Sequence, residues 1–107
     1  MVTSRYQPIF QNFPKTIQNL IKEAVKDMNP KEVILFGSRA RGNHRENSDF
    51  DFCFKEADPD PLVRAKFKLR VEEEPLTLYK VDLVFFEELS EDYIRNIAVE
   101  GKLIYVS

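Results

Sequence analysis

The sequence of 107 residues contains a single cysteine, has no excess of basic residues and lacks any long apolar run. Cys53 has no second thiol to pair with, so we expect no internal disulfide and a reducing, cytoplasmic setting. A formal net charge of −2 predicts no broad basic surface, which excludes tight binding of a long nucleic acid through many phosphate contacts. No apolar stretch approaches the roughly 18 residues of a membrane-spanning helix, so we expect no membrane span.

The composition is that of one small folded domain. Hydrophobic residues make up 43% of the chain, enough for a core in a single unit but not in two. Residues 1–13 lack regular periodicity and are interrupted by Pro8, so we expect an N-terminal arm that lies on the surface or on a partner, followed by a domain over 14–107. Nine phenylalanines and four tyrosines exceed what a small core readily buries, which favours a protein interface.

Hydrophobic spacing predicts an alternation of helices and strands. A helix begins at Pro14 and ends at Asn29, with apolar residues on one stripe. Asp58 or Asp60 is expected to cap another helix that runs to about Glu73, and Ser90 to cap one that ends at Gly101. The apolar side of that last helix is predicted to be Tyr93, Ile94, Ile97 and Ala98. Strands are predicted at 33–36 and 49–54, within 76–86, and at 103–106.

The first of these strands runs directly into a turn that is suited to an anion. Residues 33–36 are apolar and partly β-branched, and Gly37-Ser38 follows them. Residues 39–41 favour a helix, and Gly42 offers a stop. The unpaired N–H groups at such a helix start, with the Ser38 hydroxyl, predict a phosphate site, and Gly37 allows close approach to the backbone.

Paired carboxylates follow on the next predicted strand. Phe50, Phe52 and Phe54 alternate with polar positions, so that Asp49 and Asp51 share the other face of the strand. Their Cβ atoms are expected to lie about 6–7 Å apart. Two like charges at this spacing are unfavourable unless a cation binds between them, and carboxylate oxygens are the ligands that Mg²⁺ prefers.

The string G-S-R-A-R-G, five further residues and S-D-F-D-F resembles the motif of the polymerase-beta-type nucleotidyltransferases, in particular the minimal nucleotidyltransferase (MNT) domains. Asp82, in K-V-D-L-V, stands where that family has a third carboxylate. The resemblance covers the chain from about Lys15 onward. Together with the Phe pattern it leads us to expect an α+β, two-layer fold. A mixed sheet of three to four strands would carry the helices on one face and the acidic site on the other.

The resemblance also implies the chemistry of the site. Two Mg²⁺ ions, for which Mn²⁺ can substitute, would support transfer of AMP from ATP to a hydroxyl group. The predicted catalytic and metal-binding residues are Asp49, Asp51 and Asp82. The predicted nucleotide-binding residues are Gly37, Ser38, Arg39, Arg41 and Ser48. His44 is interpreted as a surface residue and Cys53 as a small, semi-buried side chain rather than a nucleophile.

Free-standing MNT proteins resemble antitoxins that pair with a helical HEPN-type toxin and modify or mask it. The resemblance therefore implies a nucleotidyltransferase that acts on a HEPN-like partner protein. The alternative is a catalytically silent module that binds nucleotide or masks the partner by contact. An aminoglycoside-modifying enzyme is disfavoured because it needs a second lobe for the drug. Which nucleotide is used, and whether the protein forms a homo- or hetero-oligomer, is left open by the sequence.

Overall fold

The computed structural model describes residues 5–73 and 77–107. Within these ranges the chain forms helices and strands in the predicted order. The helices are α1 (Lys15–Met28), α2 (Ser38–Arg41), α3 (Pro61–Glu73) and α4 (Glu91–Glu100), and the strands are β1 (Glu32–Phe36), β2 (Phe50–Lys55), β3 (Val81–Phe85) and β4 (Lys102–Val106). Short 3₁₀ helices occupy Pro8–Asn12 and Phe86–Glu88. No helix in the described ranges is long and apolar enough to cross a bilayer.

The strands form one mixed sheet in the order β3-β2-β1-β4. Strand β1 is antiparallel to both β2 and β4, whereas β2 and β3 run parallel. A parallel pair needs a crossover connection, and α3 supplies it between β2 and β3. The predicted fold class, an α+β fold with a mixed sheet, is confirmed.

The main core lies between one face of the sheet and α1. The three alternating phenylalanines of β2 are at most 1% exposed and all face this layer, as the period-2 pattern predicts. Phe67 of α3 joins the same core. The α1 residues that pack against it are Ile17, Leu20, Ile21, Ala24 and Met28. The side chains between the phenylalanines therefore point to the opposite face.

Local capping sets the ends of the helices. The Oδ1 atom of Asp60 accepts a hydrogen bond of 2.9 Å from the backbone N of Leu62, so Asp60 caps α3. The Ser90 hydroxyl accepts from the backbone N of Tyr93 at 3.4 Å at the start of α4, as expected. Asn29 ends α1 in the left-handed conformation, with φ of 46°.

Helix α4 departs from the expected layering, because it packs on the acidic face of the sheet. Ile97 is 3% exposed and contacts Phe36 and Cys53 on the side away from α1. The predicted apolar side of α4 is only partly correct, since Tyr93 is 41% exposed and Ala98 is also exposed. Helix α4 therefore covers the part of the acidic face next to β1, and this face is not fully open as expected.

The N-terminal segment also differs from the expectation. The backbone N of Gln7 donates to Ile104 O at 2.9 Å, and the backbone N of Val106 donates to Arg5 O at 3.0 Å. Phe10 is 1% exposed within the main core. An arm on the surface or on a partner is thus wrong for residues 5–13, because their apolar side chains find cover on this domain. The boundary at 13/14 stays a prediction, and residues 1–4 lie outside the described ranges.

Most aromatic side chains, which were expected to exceed the capacity of the core, are buried or half-buried within the domain. Each of the nine phenylalanines is buried or half-buried, and Tyr105 is 5% exposed. Edge-on ring contacts link the N-terminal segment to the sheet, for example Phe13 with Phe50 at 5.8 Å between ring centroids. The aromatic count therefore gives no support to a protein interface.

Candidate active site

The turn after β1 lies directly against the acidic strand. The backbone of Gly37 has a φ of +75°, a conformation that residues other than glycine rarely adopt. A Cβ at this position would also collide with the Oδ2 atom of Asp51. Glycine is thus required for two reasons, backbone conformation and space. The turn and the carboxylate are consequently in van der Waals contact.

The sheet register brings the predicted carboxylates together. Asp51 of β2 pairs with Asp82 in the parallel β3, and the adjacent strands lie about 4.8 Å apart. Both residues belong to the strand face opposite the core phenylalanines. Asp49 precedes β2 by one residue and shares the side of Asp51. Three carboxylates that are separated by up to 33 positions in the sequence thus share one end of two neighbouring strands.

The electrostatics of this group are unfavourable without a cation. Burial, followed by the charges of Asp82 and Asp49, raises the pKa of Asp51 from 3.8 to about 6, although Arg41 and Lys80 oppose the shift. The Lys80 ammonium lies 3.8 Å from the carboxylate of Asp49 but is 80% exposed, so it compensates weakly. The site is therefore suited to an added positive charge.

The three carboxylates fit a hard divalent cation in ligand type and in backbone placement. In the described ranges, no three His, Cys, Asp or Glu side chains already converge as a metal cluster. Repulsion between the carboxylates opposes their convergence without a cation, and the Lys80 contact partly offsets the charge of Asp49. Asp51 and Asp82 would approach a metal ion from paired positions on adjacent strands.

The Arg39 side chain contacts the loop before β2 and a core phenylalanine. Its Nε and Nη2 atoms donate to the backbone carbonyls of Ser48 and Glu46 at 3.0 and 2.7 Å. Its guanidinium carbon lies 3.9 Å from the ring centroid of Phe50, on the core side of the sheet. These contacts hold the loop before β2 in place and argue against the predicted nucleotide contact of Arg39.

Ser48 and His44 belong to the same loop. The Ser48 hydroxyl accepts a 2.9 Å hydrogen bond from the backbone N of Arg45, so it orders the turn that leads to Asp49. This placement favours a supporting role over the predicted contact with nucleotide. His44 is exposed, in agreement with its interpretation as a surface residue. Cys53 is fully buried and burial raises its pKa to about 12, which makes it unsuitable as a nucleophile.

Helix α4 supplies one wall of the site, and this wall was absent from the prediction. A cavity of about 290 Å³ lies between the turn and α4, lined by Phe36, Gly37, Arg41, Asp51, Tyr93, Asn96, Ile97 and Glu100. Tyr93 packs edge-on against Phe36 at 5.8 Å. Burial, and then the charges of Asp82 and Asp51, raise the pKa of Tyr93. The polar residues 93, 96 and 100 recur at helical spacing, a signal that could have identified this wall.

Arg41 and Glu100 join the turn to this wall. Nη1 of Arg41 lies 3.0 Å from Oε2 of Glu100, and the backbone N of Gly37 donates to Oε1 at 3.3 Å. Arg41, which the sequence predicts to bind nucleotide, thus lines the cavity. Its partner, Glu100, was not predicted.

A second depression lies beside the start of β3. Its volume is about 640 Å³, and its lining residues are Arg45, Glu46, Asn47, Leu78, Tyr79 and Lys80. Lys80 also contacts Asp49, so this depression adjoins the acidic group. One concave surface, beside the glycine turn, therefore includes Asp51 in its lining, and the other, beside the start of β3, is linked to Asp49 through Lys80.

Comparison with known proteins identifies relatives of this arrangement. Protein adenylyltransferase MntA of Aphanizomenon flos-aquae is 29% identical over 90 residues, covering 70% of this chain and 56% of that protein. The chain therefore spans little more than half the length of this relative. A candidate protein adenylyltransferase of Methanocaldococcus jannaschii is 30% identical over 78 residues, covering 70% of this chain and 78% of its own length.

Solved structures and a family model agree with these relatives. A crystal structure of a toxin-antitoxin with AMP-PNP superimposes with a TM-score of 0.60 at 29% identity, covering 83% of this chain and 73% of that one. The model of the nucleotidyltransferase domain matches residues 19–105, which contain the glycine turn and the three aspartates. The chain is therefore a member of the nucleotidyltransferase domain family.

Proposed function

We propose that this protein is a metal-dependent protein adenylyltransferase that transfers AMP from ATP to a hydroxyl of a partner protein. The observation that carries the proposal is the pairing of Asp51 with Asp82 beside the Gly37 turn. An anion-binding turn and a carboxylate group in contact are what a metal–nucleotide complex requires. The names of two relatives support adenylyl transfer as the reaction.

Asp49, Asp51 and Asp82 would hold two Mg²⁺ ions, for which Mn²⁺ could substitute. When bound, such ions neutralise charge on the phosphates and on the attacking oxygen. The backbone and hydroxyl of Ser38 would bind phosphate oxygens, and Arg41 would add a charge-assisted bond from the cavity wall. Positioning of this kind supplies most of the catalysis in phosphoryl transfer.

The reaction forms one bond and breaks one. The acceptor hydroxyl oxygen bonds to the α-phosphorus, the bond from that phosphorus to the bridging oxygen breaks, and pyrophosphate leaves with the bonding electron pair. The hydroxyl proton passes to a carboxylate or to water. Asp82 is exposed on β3, two positions after Lys80, which lines the wider depression, so it is the carboxylate that we assign to the acceptor side.

We further propose that the acceptor is a helical HEPN-like toxin and that the chain acts as its antitoxin in the cytoplasm. Support comes from the toxin-antitoxin structure, which is 29% identical to this chain and holds AMP-PNP. Any oligomer would then include this partner. The pairing of an ATP analogue with a toxin-antitoxin assembly is consistent with modification of one protein by the other.

A second function, masking of the partner by contact without transfer, is favoured by one observation. Gly37 N–H and Arg41 are already bonded to Glu100, so part of the anion site is filled by the protein itself. A module in which this contact is permanent would bind nucleotide poorly and could neutralise a toxin only by covering it.

Incubation of the protein with its HEPN-like partner, ATP and Mg²⁺ distinguishes the two functions. Transfer predicts that intact-mass spectrometry will detect addition of one or more AMP units to a Tyr, Ser or Thr of the partner. Asp82→Ala should stop the addition while the complex still forms on a sizing column. Asp92→Ala, at an exposed position of α4, is the matched control and should transfer normally. Neutralisation by Asp82→Ala equal to wild type, with no mass change in either, would establish masking.

A further inference from the structure

The carboxylate of Glu100 is bound in the manner of a phosphate. Oε1 lies 3.3 Å from the backbone N of Gly37, and Oε2 lies 3.0 Å from Nη1 of Arg41. A turn N–H and a guanidinium are the donors that proteins commonly use for phosphate oxygens. Glu100 thus fills an anion position of the turn with a group from the same chain.

This anion position lies in the cavity and remains partly open to solvent. The Glu100 side chain is 23% exposed, whereas that of Arg41 is 47% exposed. Both line the 290 Å³ cavity together with Asp51. Gly37, which donates to Glu100, is also the residue in contact with the Asp51 carboxylate. A phosphate that enters this cavity therefore meets the donors that Glu100 holds.

Glu100 also adds negative charge where the site already has an excess. Asp49, Asp51 and Asp82 raise the electrostatic cost of a further anion, and Arg41 is one of two cations that offset the charge on Asp51. While Glu100 is paired with Arg41, part of the positive charge of Arg41 is neutralised. Release of this pair would make a cation available to an incoming nucleotide.

We infer that Glu100 competes with a nucleotide phosphate for Gly37 N–H and Arg41, an inference that rests on the proposed function. Before nucleotide binds, Glu100 keeps Arg41 and the turn beside the cavity. When nucleotide binds, a phosphate oxygen replaces the carboxylate and Glu100 moves away. Glu100 is therefore a positioning residue whose removal tightens nucleotide binding.

Competition predicts opposite effects for the two partners of one ion pair. Glu100→Gln removes the charge but keeps an oxygen that can accept from Gly37, so the Kd for Mg²⁺–ATP should fall roughly three- to tenfold. Arg41→Met removes a phosphate donor, so that Kd should rise about tenfold. An ion pair that only supports the fold would give changes of the same sign, because either substitution breaks it.

The test is isothermal titration of each variant with Mg²⁺–ATP, with melting temperatures measured in parallel. Glu23→Gln makes the same charge change in α1, where Glu23 lies 3.5 Å from Arg70, and should leave the ATP affinity unchanged. Glu100→Ala provides a second variant that lacks the carboxylate, and tightening is again expected.

Weaker or unchanged ATP binding in both Glu100 variants would overturn the inference, even if wild type binds ATP and transfers AMP. If neither the wild-type protein nor Glu100→Gln binds Mg²⁺–ATP, both the proposed function and the inference are overturned. Tight binding that appears only in the Glu100 variants would support the competition and identify the wild type as a masking module.

Discussion

Replacement of Asp51 by Asn should stabilise the metal-free protein at neutral pH. The folded-state pKa of about 6 lies above the ordinary 3.8, so the folded protein carries a penalty for ionising this group. At 1.36 kcal/mol per pKa unit, the full shift corresponds to a ceiling of about 3 kcal/mol. Asp51 is partly exposed, so solvent screening reduces the expected gain to about 1 kcal/mol. That gain corresponds to roughly 4–8 °C in Tm for a domain of this size.

The sign of the pH dependence follows from the direction of the shift. Below pH 3.8 both states hold the proton and the penalty is absent. As pH rises from 3.8 to about 6, the unfolded state ionises first, so wild type loses stability relative to Asp51→Asn. Above about pH 6 the difference is complete. The advantage of the variant should therefore appear across this window and remain constant at higher pH.

Thermal melts in EDTA from pH 4 to 8 provide the measurement. Asp27→Asn is a control that should lower stability. The Asp27 carboxylate lies 3.1 Å from Arg70, and loss of this ion pair should reduce the free energy of unfolding by up to about 1 kcal/mol. A less stable Asp51→Asn at pH 7.5, or an advantage that does not change between pH 4 and 7, would refute the account of the acidic site.

Three further outcomes are expected. Mg²⁺–ATP at about 100 times its Kd should stabilise wild type by about 2.7 kcal/mol in thermal shift, and Asp49→Asn with Asp51→Asn should abolish the effect. Gly37→Ala should cost more than Gly42→Ala in denaturant melts, because both have positive φ but only Gly37 would place a Cβ against a carboxylate. Arg39→Met should speed hydrogen exchange of the loop before β2 without abolishing ATP binding; unchanged exchange would contradict its assigned role.

The parts of the fold that depend on local patterns were predictable from sequence. The alternation around Phe50 and Phe52 fixed which face of β2 is buried, because a one-residue slip would expose a phenylalanine and bury a carboxylate. The starts of α3 and α4 followed from the capping residues Asp60 and Ser90, and the end of α1 from Asn29. The expectation that Asp82 joins Asp51 came from the family resemblance, and the sheet register supports it.

Features that depend on long-range packing were not predictable in this way. Glu100 reaches a backbone N–H that is 63 positions away. Its helical spacing from Tyr93 and Asn96 places it on their side of α4, but this local pattern does not reveal which distant turn that side contacts. Arg39 and Arg41 are two positions apart on a single helical turn, so they point in different directions. The sequence alone offered no basis for assigning one to the loop and the other to the cavity. The burial of Phe10 likewise accompanies the packing of its 3₁₀ helix against the distant strand β4.

The backbone pairing of residues 5–7 with β4 has a consequence for handling the protein. Strand β4 ends the sheet, and these residues satisfy backbone groups that an edge strand would otherwise present to other chains. A recombinant fragment that starts at Pro14 would expose that edge together with the apolar surface that Phe10 covers. Such a fragment would be prone to aggregation through strand pairing, so the domain boundary for expression belongs upstream of Arg5.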